Sequence, residues 1–133
     1  MVRILVVDDD PSVSAAIVAL LQRPGLEIKV ANGRDSGLRA LAGSAFDVML
    51  IDIFMPNVRG YQSIRIFHER APNIPLIAMS GYNFAKLSAS TNDFLETTRQ
   101  LGATRFLRKP FTASTLLSAI NECLAGAGRA TRR

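Results

Sequence analysis

Among the five short apolar runs in this chain, ILVV (Ile4 to Val7) and VMLI (Val48 to Ile51) are apolar at every position. A strand with one wet face alternates apolar and polar residues, so a strand that is apolar throughout must be covered on both faces. The five runs fall at residues 3–7, 26–31, 47–51, 75–79 and 104–107. Segments of helical spacing follow them at 12–22, 34–44, 60–69, about 88–101 and 112–125. In the first, Val13, Ile17, Leu20 and Leu21 lie at i, i+4, i+7 and i+8, one face of a helix; Leu116, Leu117, Ile120 and Leu124 repeat that face in the last. Strands alternating with helices predict an α/β fold, a doubly wound five-stranded parallel sheet with helices on both faces. The 133 residues suit one domain, expected over 1–126, with a basic tail at 127–133.

Such a sheet binds its ligands outside the carboxyl ends of the strands. There the sequence places LVVDDDP, three acids directly after the first strand. Asp8 and Asp9 end that strand, and Asp52 ends the third. Two carboxylates about 4 Å apart repel by roughly 4 kcal/mol at an effective dielectric near 20. Protonation would relieve the crowding, and so would a hard divalent cation; few oxygen ligands in a partly open site suit magnesium. Asp10 is a different case, because Asp before Pro11 reads as a helix N-cap followed by the first helical residue. Ser80 ends the fourth strand and Lys109 the fifth, so the same edge also receives a hydroxyl and an ammonium. Taken singly, Ser80 could open a turn, Lys109 could be an exposed lysine and Pro110 a strand stop.

Together LVVDDDP, LIDIFMPNVRGY, IAMSG and FLRKPF resemble the receiver domain of bacterial response regulators, the phospho-acceptor half of two-component signalling. The resemblance runs from Arg3 to about Ala125. It implies the flavodoxin-like strand order 2-1-3-4-5. It also implies that Asp52 takes a phosphoryl group from a sensor histidine kinase or a histidine phosphotransfer protein. Asp8, Asp9, Asp52 and the backbone carbonyl of Phe54 would hold Mg2+ or Mn2+, Ser80 and Lys109 would bind phosphoryl oxygens, and the Lys109–Pro110 bond would be cis. The chemistry fits, since a carboxylate can act as nucleophile and phosphoryl transfer rests on positioning and charge. Such a domain would not be an enzyme beyond catalysing its own phosphorylation and slow dephosphorylation. Its output would be a phosphorylation-dependent change in the loop after the fourth strand and on the fifth-strand face, read by a downstream protein target.

The positions two after the acceptor and two after the hydroxyl, Phe54 and Tyr82, would flank the path of a hydrolytic water. Phe106 reads equally as a ring that turns inward when Ser80 moves, or as an ordinary strand residue. The segment from Ser80 to Asp93 is long and polar for a strand-to-helix loop. His68, the one histidine, reads as a surface residue, and Cys123 as a small buried hydrophobe.

The single cysteine, the absence of an apolar run of membrane-spanning length and an N-terminus without a signal-peptide pattern predict a cytoplasmic protein with no membrane partner. The net charge of +5 owes much to Arg129, Arg132 and Arg133, so direct nucleic-acid binding is not expected. Three rival readings fail on particular residues. A hydrolase with an aspartyl-phosphate intermediate often needs a second acid where Phe54 stands. A dinucleotide-binding domain needs a glycine-rich turn where DDDPS stands. An interaction module with a dead site would not keep the full set of acids, hydroxyl and lysine.

Overall fold

The computed structural model describes residues 1–53, 62–80, 96 and 98–126. The chain order is β1 (Val2–Val7), α1 (Pro11–Leu20), β2 (Leu26–Ala31), α2 (Arg34–Gly43), β3 (Val48–Asp52), α3 (Gln62–Arg70), β4 (Leu76–Ser80), β5 (Arg105–Arg108) and α4 (Ala113–Gly126). The strands form one parallel sheet in the order β2-β1-β3-β4-β5, as the sequence predicts. Of the helix expected at 88–101, residues 96 and 98–101 are described, and 96 and 98–100 are helical.

The all-apolar strands are explained by two separate cores. Leu5, Val7, Met49, Ile51, Leu76 and Ala78 face α2 and α3, where Ile64 and Phe67 pack on them. Ile4, Val6, Val48, Leu50, Ile77 and Met79 face the opposite side, under α1 and α4. Each central strand thus sends alternate residues to opposite cores, and no polar alternation is possible. Cys123 lies in the second core as expected, and burial pushes its thiol up to about 11. It stays protonated at neutral pH and acts as packing.

Asp52 and Ser80 are the last residues of β3 and β4, where the sequence places them, and β5 reaches Arg108. The starts of β3 and β4 lie one residue later than the apolar runs at 47–51 and 75–79. Asp47, expected to begin β3, instead turns its carboxylate onto the Arg3 N–H at 2.8 Å. Pro75 has no N–H for a ladder and serves only through its carbonyl, which accepts from the Met49 N–H at 2.9 Å. His68 also differs from expectation: it is half-buried, its ring against Gly102. Gly102 has φ +121°, and a Cβ there would overlap that ring, so the position needs glycine twice over.

Gly37 decides how closely α2 approaches the sheet. A Cβ built there would lie 2.8 Å from the Phe67 ring and 2.9 Å from a Val7 methyl, both fully buried. Gly37→Ala gains up to ~1 kcal/mol of helix propensity, but overpacking a fixed ring costs about 1–3 kcal/mol. We expect the variant to be less stable by about 1 kcal/mol in urea denaturation; a stabilised variant would mean that α2 is free to move outward.

Candidate functional site

The sheet register assembles the site. Val7 on β1 pairs with Ile51 on β3, so Asp8 and Asp52 follow side by side. Asp52 pairs with Met79, and Ser80 comes next on β4. Ser80 pairs with Arg108, and the Lys109 N–H then donates to the Ser80 carbonyl at 2.7 Å. Residues from four strand ends therefore meet at one edge, where a parallel sheet leaves its carboxyl ends open.

Asp8, Asp9 and Asp52 each place a carboxylate oxygen within 4.8 Å of the others. Asp8 and Asp52 are 1% and 3% exposed, whereas Asp9 is open to solvent. The Lys109 ammonium reaches both buried acids, donating to Asp8 Oδ2 at 2.7 Å and lying 3.5 Å from Asp52 Oδ1. Its side chain is 18% exposed, so the pair with Asp8 is shielded from water. Among these groups the formal charge is minus three plus one, or −2. A hard divalent cation matches both that excess and the all-oxygen donor set, so the residues present fit Mg2+ or Mn2+.

The Ser80 hydroxyl is fully buried and has no hydrogen-bond partner among the described residues. At this edge it is a donor that can serve an incoming acceptor. The Lys109–Pro110 peptide bond is cis, as the resemblance implies. Phe106 is half-buried and packs against the core shared by β4 and α3. Phe54 and Tyr82 lie outside the described residues, as does most of the loop after Ser80.

Asp10 caps α1 as expected: Pro11 is the first helical residue and the Asp10 carboxylate accepts from the Ser12 N–H. The hydrogen bond from the Ser12 side chain, followed by the one from its backbone, holds the Asp10 carboxyl below the usual carboxylate range. Two features were missed in the sequence. One is that Lys109 sits on Asp8, 101 positions away, rather than waiting for a ligand. The other is the bond from the Asp10 N–H to Asp8 Oδ1 at 2.9 Å. Local sequence carries no signal for the first, and only the DDDP spacing hints at the second.

The model of the response regulator receiver domain matches residues 4–121. Protein PilH of Pseudomonas aeruginosa is 34% identical over 128 residues, 95% of this chain and 100% of that protein. Response regulator protein FleR of the same species is 30% identical over 118 residues, 89% of this chain but 24% of FleR, so this chain spans about a quarter of that longer relative. Among solved structures, a response regulator receiver domain protein from Clostridium thermocellum superposes with a TM-score of 0.81 at 28% identity, covering 96% of this chain and 98% of that one. The chain belongs to the response regulator receiver domain family. That membership places it among phosphorylation-dependent signalling domains of two-component systems, not among classical enzymes.

Lys109 holds the Asp8 carboxylate that a metal would also use, which sets the expected behaviour of Lys109→Met. Removing one partner of a shielded ion pair leaves buried charge uncompensated. Without metal, the variant is expected to lose about 3 kcal/mol in denaturation. Its Mg2+ affinity, read by calorimetry, is expected to rise. Unchanged stability together with unchanged affinity would show that the lysine does not balance the acids.

Proposed function

We propose that this chain is a phosphorylation switch in which Asp52 accepts a phosphoryl group from a phosphohistidine. One Asp52 oxygen attacks phosphorus; the P–N bond breaks and its electron pair leaves with the imidazole nitrogen. The observation that carries this reading is the convergence at one strand edge of a buried carboxylate, a cation and a buried hydroxyl with no partner among the described residues. Lys109, already 3.5 Å from Asp52, balances the charge that the phosphoryl oxygens bring. Ser80 supplies the hydroxyl that donates to one of them. Asp8 and Asp9, with Asp52, hold the divalent cation; when bound, it supplies positive charge to the phosphoryl oxygens.

The change is passed on through Ser80 and the half-buried Phe106, which reach the loop after β4 and the face of β5. A downstream protein target reads that face. The donor is a sensor histidine kinase or a histidine phosphotransfer protein. An apolar groove of about 480 Å³, lined by Val13, Ala16, Leu20, Pro110 and Phe111 and bordered by Lys109, favours a protein donor over a small molecule alone. Phe54 and Tyr82 offer no carboxylate or amide to orient a water, so the phosphoryl group is lost slowly. The domain comprises residues 1–126 and functions in the cytoplasm.

Incubation with a small acyl phosphate and Mg2+, followed by intact mass, tests the assignment. The expected result is one added phosphoryl group, absent in Asp52→Asn and absent when the metal is chelated. Equal labelling of Asp52→Asn would remove Asp52 from the acceptor role.

A further inference from the structure

Asp10 sits between two structures that are usually described apart, the start of α1 and the acid cluster. Its Oδ1 accepts from the Ser12 N–H at 2.9 Å and from the Ser12 hydroxyl at 2.7 Å. Its carbonyl accepts from the N–H groups of Val13 and Ser14, both at 3.1 Å. These bonds hold residue 10 at φ −95° and ψ 109°, the extended conformation of an N-cap. In that conformation its own N–H points back and donates to Asp8 Oδ1 at 2.9 Å. The other oxygen of Asp8 carries the Lys109 ammonium at 2.7 Å. The buried Asp8 carboxylate is therefore held at both oxygens, by the helix cap on one side and by lysine on the other.

We propose that Asp10 is a positioning residue for the divalent-cation site: by capping α1 it fixes its own N–H on Asp8 Oδ1, and so fixes the plane of the carboxylate that a cation must use. This rests on reading Asp8, Asp9 and Asp52 as the metal site. A carboxylate that turns freely must be ordered when a metal binds, and that ordering weakens affinity. Here the ordering is done by α1 as it folds. Without the cap the first turn loses its side-chain acceptor and frays, residue 10 leaves its extended conformation, and its N–H drifts from Asp8. What matters in Asp10 is then its acceptor oxygen, not its charge.

Calorimetric Mg2+ titration of the full chain separates these roles. Asp10→Asn and Asp10→Ser keep a capping acceptor and lose the charge; Asp10→Ala loses both. Asp10→Gly also lacks the acceptor and leaves the backbone of residue 10 free to depart from its extended conformation, and it stands in for the alanine variant should that one fail to fold. We expect Asp10→Asn and Asp10→Ser to bind Mg2+ within about twofold of wild type, and Asp10→Ala or Asp10→Gly about tenfold more weakly. The amide of residue 10 should exchange with solvent faster in the last two. Equal weakening in all four variants would assign the effect to the charge and overturn the proposal, as would unchanged affinity in all four. A wild-type chain that binds no Mg2+ would instead overturn the metal reading beneath it.

Discussion

The Lys109 ammonium lies between Asp8 and Asp52, and the rest of the site depends on it. Two carboxylates buried this deeply and this close together repel each other. One lysine offsets part of their repulsion while leaving a formal excess of negative charge. That excess is what a divalent cation would offset. The same lysine faces Asp52, the nucleophile of the proposed reaction, so the group that stabilises the resting site also meets the incoming phosphoryl charge.

The sheet makes this arrangement possible. Parallel strands in register deliver Asp8, Asp52, Ser80 and Lys109 to one edge, and burial of both faces keeps those strands from shifting. A slip of one residue would exchange the two cores, moving Leu5 and Val7 to the α1 side and Ile4 and Val6 to the α2 side. Close packing at Gly37 and Gly102 ties α2 and α3 to the same frame. The helix caps then act locally: α1 starts at Asp10, whose backbone touches the acid cluster directly.

Much of this was legible in the sequence, for identifiable reasons. ILVV and VMLI announce doubly covered strands because no wet face survives in them. DDDP separates two site acids from one cap because proline fixes where the helix begins. The starts of β3 and β4 are less legible, since an aspartate or a proline beside an apolar run looks like a strand residue until its hydrogen bonds are known. His68 was read as a surface residue because its cover comes from Gly102, 34 positions later, and a glycine leaves no pattern of its own. The pairing of Lys109 with Asp8 was hidden for the same reason of distance. Sequence showed that the two share an edge, not that they touch.

The central claim is that the acid cluster remains electrostatically overfilled after Lys109 has been counted, and that a divalent cation completes it. Asp9→Asn tests this most directly, because Asp9 is the exposed acid and, among the described residues, Lys109 pairs with Asp8 and Asp52. The measurement is urea denaturation of wild type and variant, each with a chelator and with saturating Mg2+. The account predicts a chelated variant more stable than wild type by about 1 kcal/mol, with a smaller gain on adding Mg2+. A chelated Asp9→Asn that is less stable than wild type, or that gains as much from Mg2+, would contradict it.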